Sequence, residues 1–521
     1  MISRLPPSLS FAGRHVLLLL ALGLPPAHAG DGSPWFSAAG PTPLAREAVA
    51  VLGAADEDGL EPAAYDAAGL RAALDGAQAP AAQEALAVRL ESALGRFLRD
   101  LNAGRITPAE IDENYANTTA VVADADTLLA RAIADGNLAG AVAAARPHVP
   151  EYAELRKALA DYRRLAADPL WGEALPPLPA RKLEPGQPWA GLPVLARRLA
   201  ALGDLPAPTT PVAKTYNGAL VDAVKAFQSR HGLTPDGVIG KGTWEALATP
   251  AAQRAEQLAL ALERLRWTPQ PERAVIVNVP EFVLRGWDAR DGRSSVRVRM
   301  NVIVGNAAKT QTPIFDADMR HIEFSPYWNV PPSIARGETL PKLRRDPAYF
   351  EQQGFEFVTR DGRVVGGFSE ANLDAVQAGN MRIRQRPGAK NALGDIKFVF
   401  PNPDNIYLHH TPTPRLFQRD RRDFSHGCIR VEAPVDLAKF VLANAPEWNE
   451  ERIVEAMTRG RSNTLRLADS LPVVIAYRTA AVIDGKPHFF PDLYRKDAAL
   501  AAALARQGNP RTASAQGRNP S

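Results

Sequence analysis

Cysteine is almost missing from this sequence: 521 residues hold one, Cys428. One thiol excludes an internal disulfide by counting, and it excludes the paired cysteine ligands of a closed structural zinc site. Long apolar runs are missing as well. Val16–Leu24 is too short for the roughly 20 residues of a spanning helix, and no later stretch reaches about 18 consecutive apolar residues. Charge of one sign is also lacking, with 61 Lys and Arg against 57 Asp and Glu and a net charge of +4. The cations are scattered rather than gathered in a stripe, so no nucleic-acid partner is expected, while contact with an acidic polymer stays open.

What is present is globular: 46% hydrophobic, 23% charged, and too long for one hydrophobic core. The opening "MISRLPPSLSFAGRHVLLLLALGLPPAHAG" has Arg4 and Arg14 without an acid, a short apolar run, then Ala27-His28-Ala29. That is the pattern of a secretory signal peptide over 1–29 with cleavage after Ala29, leaving a mature protein outside the cytoplasm with no transmembrane segment.

The periods then change along the chain. Leu86, Leu90, Leu94, Phe97 and Leu101 line one helix face, stopped by Gly104, and two further helical stretches follow up to residue 166. The expectation is an all-α domain over 31–174, then a Pro-rich linker over 175–188. Across 189–250, Leu195 and Leu199, then Leu220, Val224 and Phe227, then 240–247 predict three short helices around the turn "TPDGVIG". Trp244 reads most simply as part of that small core. From 272 to 500 the pattern is mainly β, with "AVIVNVPEFVLRGW", "SVRVRMNVIVG", "DIKFVFP" and "NIYLHH" as strands and "APVDLAKFVLANA" and "NEERIVEAMTRG" as helices. A long insertion at about 325–392 has the size of a lid, and 507–521 reads as a disordered tail. The fold class expected is multidomain α+β.

Four chemistry-bearing groups lie close in sequence: His409, His410, His426 and Cys428. Three readings of the cysteine compete. A free cysteine is commonly a buried apolar residue, but "SHGCIR" is a small polar turn, and an exported bare thiol is open to oxidation that packing alone does not require. A metal site needs three or four ligands, and neither H-E-x-x-H nor a second cysteine exists. Nucleophilic catalysis needs a base near a thiol of ordinary pKa ~8.5. His409 ends a predicted strand and Cys428 follows at a separation of 19 residues, through a loop that lets the two meet. Gly427 lets a backbone N–H approach a reacting carbonyl as an oxyanion donor. Spacing permits this third reading without proving it.

"YLHHTPTPRLFQRDRRDFSHGCIRV" resembles the signature of the L,D-transpeptidase (YkuD-type) catalytic domain: a His, then Ser-His-Gly-Cys-x-Arg after fewer than twenty residues. "SPYWNVPPSIARGETLPKL" is similar to phrasing in the large periplasmic members of that family, and "AVKAFQ…GLTPDGVIGKGTWEAL", with Asp236, Gly237, Gly240 and Thr243, resembles a peptidoglycan-binding module. The resemblance implies a helical scaffold, a three-helix peptidoglycan-binding module, and a mainly-β, sandwich- or barrel-like catalytic domain with a helical capping insertion. Carried over by position, it makes Cys428 the nucleophile and His409 the general acid/base, with Gly427 and Cys428 as backbone oxyanion donors. Ser425, His426 and Arg430 become loop support or substrate contacts, and His410 a solvated loop residue. The implied reaction joins peptidoglycan stem peptides within the glycan mesh through a thioester, releasing D-Ala and forming 3-3 cross-links. No metal or organic cofactor is implied, and carbapenem-type β-lactams are expected to acylate Cys428. A carboxypeptidase or endopeptidase with the same dyad, and a non-catalytic wall-binding protein, are the alternatives.

Overall fold

Apolar residues spaced three and four apart force a helix to bury one face, and helix Pro80–Ala103 buries Leu86, Leu90, Leu94, Phe97 and Leu101. It stops at Gly104, whose φ of +84° suits glycine; a Cβ there would run into the Trp267 indole. The computed structural model describes residues 33–77, 79–111, 124–207, 214–290 and 295–508. The expected signal segment 1–29 lies outside them, as does the expected tail beyond Gly508; its first two residues close helix Lys496–Gly508.

The N-terminal helices share a core that a distant segment completes. Helix Ala251–Trp267, which follows the small module in sequence, packs along Pro150–Ala167 and puts Ala255, Leu258 and Leu262 into that core. Its polar residues also bind the scaffold: Glu263 Oε1 accepts from the Ile106 amide at 3.1 Å, and Arg266 donates to Tyr152 Oη at 2.8 Å.

The small module has helices Leu192–Ala201, Ala219–Ser229 and Lys241–Ala248 around Leu195, Leu199, Val224 and Phe227. Trp244 is partly buried against this core and donates its indole N–H to Pro176 O at 3.0 Å. The stretch expected to be a linker is instead part of the module. Leu183 exchanges two backbone bonds with Ile239, and Leu175 and Leu183 are buried in its core. Proline removes donors without preventing these two leucines from finding an apolar seat.

The mainly-β domain is a closed barrel. In chain order its strands are β1 Arg273–Asn278, β2 Val283–Asp288, β3 Ser295–Ile303, β4 Phe315–Phe324, β5 Ile396–Val399, β6 Leu408–His409, β7 Ile429–Val431 and β8 Asn463–Ala476. Around the barrel the order is β5-β6-β7-β3-β2-β1-β8-β4, closing between β4 and β5. The first apolar stretch, read as continuous strand, is two strands folded back at Val279–Phe282, where Phe282 takes φ +58°. The pairs β6/β7 and β8/β1 are parallel. Helices Pro434–Val441 and Glu450–Thr458 cover the barrel with Leu437 and Ile453.

Between β4 and β5 the chain leaves the barrel and builds a body with its own core, including Leu340, Phe350, Phe357, Leu373 and Ile383. Helices were expected there and are present, but they pack on a four-stranded antiparallel sheet ordered Trp328–Asn329, Met381–Gln385, Phe355–Thr359, Val364–Val365. These strands are two to five residues long, too short for a period of two to stand out as it does in a longer strand.

Candidate active site

A parallel pair requires a crossover of a dozen or more residues, and the link from His409 to Cys428 is that crossover. In the β6/β7 register Leu408 faces Ile429 and His409 faces Arg430. Leu408 and Ile429 are buried in the barrel core. Side chains alternate along an extended chain, so Tyr407, just before β6, and His409 on it share the outer face with Cys428, just before β7, and Arg430 on it. Tyr407 stands directly opposite Cys428, and His409 is one step further along.

The turn before β7 is held from several sides. Ser425 Oγ donates to Cys428 O at 2.5 Å and accepts from the Gly427 amide at 3.1 Å. Ser425 N and O bond to Val304 O and Asn306 N, each at 3.0 Å, which ties the turn to the end of β3. Thr312 Oγ1 donates to Gly427 O at 2.7 Å. Gly427 has φ +114°, a conformation that a side chain at this position would strain, with Ile406 already 3.3 Å from where a Cβ would sit.

Burial sets the protonation of the pair. It pushes the Cys428 thiol up, against the hydroxyl and amide of the neighbouring Tyr407 and the charges of Lys397 and Arg430, all of which pull it down. Burial, and then the Arg430 charge, lower the His409 imidazole to about 3. The resting pair is therefore a neutral thiol and a neutral imidazole. His409 Nδ1 lies 2.5 Å from His410 O, and a carbonyl only accepts, so Nδ1 carries the proton and Nε2 is the basic nitrogen. Among the described residues no hydrogen bond joins this ring to the Cys428 sulfur. The thiol instead faces Asn405 O at 3.7 Å. Catalytic bonds of this kind commonly tighten only when substrate is bound.

The other expected site residues separate by role. Arg430 is partly buried, its Nε has no hydrogen-bond partner, and no described acid pairs with it, which leaves a cation beside the thiol. His426 faces away from the core and meets Glu338 of the insertion at 2.7 Å. His410 approaches Asp395 at 3.3 Å, where Gly394 gives its ring room. One expectation needs correcting: the Gly427 amide is not a free oxyanion donor, because Ser425 Oγ already takes its hydrogen. The Cys428 amide, to which no described residue is bonded, and the Tyr407 hydroxyl are the donors near the sulfur.

Tyr407 is the residue the sequence reading missed. The signal was available, since Tyr407 lies two residues before His409 on a predicted strand and so shares its face. Burial, and then the neighbouring sulfur, push its hydroxyl up, while a bond from the Trp328 side chain of the insertion pulls it down. Lys397 Nζ sits 4.5 Å from its ring centroid and 3.3 Å from Glu323. Trp328, Lys397 and Glu338 lie in stretches the sequence singled out, but nothing local in them shows that they meet the thiol.

A cleft of about 1550 Å³ opens between the small module, including Leu233 and Thr234, and the barrel, including Arg299, Gln311 and Arg422. Thr234 Oγ1 donates to Asp420 Oδ1 at 2.5 Å, so the module touches the crossover that leads to Cys428. No helix among the described residues is long and apolar enough to cross a membrane.

Comparison with known proteins gives three matched segments. Residues 272–475 match the L,D-transpeptidase catalytic domain (YkuD), residues 28–159 a scaffold domain, and residues 192–247 a peptidoglycan binding domain. A Haemophilus influenzae protein named as an L,D-transpeptidase is 33% identical over 245 residues, 46% of this chain. That match covers 48% of the relative, so the chain spans about half the length of the curated protein it matches.

Proposed function

We propose, for a chain that carries a YkuD-type L,D-transpeptidase catalytic domain with a scaffold domain and a peptidoglycan-binding domain, that it cross-links peptidoglycan through a thioester on Cys428. The observation that carries this reading is the shared face of β6 and β7, with Cys428 opposite Tyr407 and one step from His409. The donor is a tetrapeptide stem. As the Cys428 sulfur attacks the carbonyl of its third residue, His409 takes the thiol proton, then passes it to the departing D-alanine. The Cys428 amide and the Tyr407 hydroxyl receive the developing oxyanion. Arg430 holds an anionic group of the stem. An amine of a neighbouring stem resolves the thioester and leaves a 3-3 cross-link.

The neutral resting pair suits this sequence, because a neutral imidazole is the form that accepts a proton. Little thiolate stands exposed to oxidants before substrate arrives. The binding module raises the local concentration of an insoluble polymer, and its contact at Asp420 brings that polymer beside the crossover. The substrate and the signal pattern of residues 1–29 put the working enzyme in the periplasm, and carbapenem-type β-lactams acylate the same sulfur.

Purified enzyme is incubated with tetrapeptide muropeptides and the products are read by mass spectrometry. Dimers from the wild type and none from Cys428→Ala support the proposal. Tripeptides without dimers make the protein a carboxypeptidase, and unchanged products in the variant remove Cys428 from the chemistry.

A further inference from the structure

The second half of the proposed reaction has a need that His409 does not meet. An acceptor amine is an ammonium in water, and it must lose a proton before its nitrogen attacks. His409 is 4% exposed with Nδ1 committed to His410 O, so it does not face an amine that arrives from solvent. The pair formed by Glu338 and His426 is placed differently. Glu338 Oε1 lies 2.7 Å from His426 Nε2, and the two side chains keep 61% and 44% of their exposure. Among the described residues neither has a second side-chain partner. His426 stands two residues before Cys428, so their Cα atoms are at most ~7 Å apart. Glu338 arrives from the opposite component, on the π-helical turn Ala335–Thr339 of the insertion. Such turns are frequent at functional sites. The cation of that turn, Arg336, lies over Gly379 and leaves the carboxylate unneutralised.

We propose that Glu338 and His426 form the acceptor site: the carboxylate, which accepts from His426 Nε2–H, also binds the incoming ammonium, and the lone pair of His426 Nδ1 takes its proton. This rests on the transpeptidase reading above. The ammonium loses one proton to His426. Its nitrogen lone pair then forms the C–N bond to the thioester carbonyl, the C–S bond breaks, and the electron pair leaves on the Cys428 sulfur. The second proton lost by nitrogen restores the thiol, and His426 returns the first to solvent. A carboxylate beside the transient imidazolium stabilises it. Water has no positive charge for Glu338 to hold, so the pair favours cross-linking over hydrolysis.

The test uses the full chain, a tetrapeptide donor and two competing acceptors: a stem peptide with a free side-chain amine, and hydroxylamine, which is neutral near pH 7. In Glu338→Gln, dimer formation falls on the order of tenfold or more beyond any fall in hydroxamate. His426→Gln shifts the ratio the same way, and Glu338→Asp restores part of it. Hydroxamate made by the same variant reports a folded, acylating site. Equal falls in both products would make the contact a latch that only holds the insertion, and an unchanged dimer yield would remove Glu338 from the reaction; either overturns the inference. A wild type that yields hydroxamate and tripeptide but no dimer overturns the cross-linking function itself. A wild type that makes dimers, with a Glu338→Gln variant that keeps their ratio to hydroxamate, overturns the acceptor site alone.

Discussion

The thiol lies between two walls built on different terms. The barrel wall carries Tyr407, His409, Ser425 and Arg430 on strands and a turn in which Ser425 and His409 are bonded to the backbone, and removing a partner there leaves buried groups unpaired at ~1–3 kcal/mol each. The insertion wall reaches the site through Trp328 and Glu338, and the Glu338 contact is an exposed hydrogen bond to His426 that water can replace at little cost. The insertion also has its own hydrophobic core, separate from that of the barrel. Acylation demands fixed geometry, whereas the acceptor must enter and the product leave. The rigid wall serves the first demand and the loosely tied wall the second.

The barrel wall breaks most completely at its nucleophile. Cys428→Ala is expected to abolish thioester formation, because no sulfur remains, and to lower turnover on the order of ten-thousand-fold or more. His409→Gln follows with a loss of about 10²–10⁴-fold. Intact-protein mass after exposure to a β-lactam measures both. An adduct on Cys428→Ala would move the chemistry to another residue.

These two residues were also the most legible part of the sequence. The single cysteine, the small polar turn and the strand ending at His409 are local signals, and a closed barrel with parallel β6 and β7 explains why 19 residues separate them. The helical faces at Leu86–Leu101 and Leu220–Phe227 were legible for the same reason, because burial imposes a period. What escaped reading is tertiary. Helix Ala251–Trp267 belongs to the scaffold core although it follows the module, and Trp328 and Glu338 meet the site only because the insertion folds back over it. Gly427 was misread because a glycine's freedom to offer its amide says nothing of which oxygen has already taken it.

A smaller break tests how the barrel wall is supported. Ser425→Ala removes the acceptor of the Gly427 amide and the donor to Cys428 O, and is expected to cost ~1–3 kcal/mol in urea unfolding. His409 sets the response to acid. Its folded imidazole binds a proton only near about 3, whereas an unfolded one binds near ~6.5. Between those values unfolding takes up a proton, so stability falls as pH falls, with a slope of at most ~1.4 kcal/mol per pH unit from this group. His409→Gln flattens that slope in pH-dependent unfolding. An unchanged slope would mean that His409 does not hold its proton off in the folded state.

The finest test joins the two walls through Tyr407. Tyr407→Phe removes the hydroxyl bond to the sulfur, so the thiol titrates higher still and alkylation by iodoacetamide at neutral pH slows about tenfold, as a charge-assisted bond of ~1.5–3 kcal/mol allows. Trp328→Phe removes only the bond to the Tyr407 oxygen, a neutral contact of ~0.5–1.5 kcal/mol, and slows alkylation about threefold. If the insertion acts on the thiol through this tyrosine, Trp328→Phe has no further effect in a Tyr407→Phe background, and the double-mutant cycle is fully non-additive. Additive effects would mean that Trp328 reaches the sulfur by another route and that the two walls are independent.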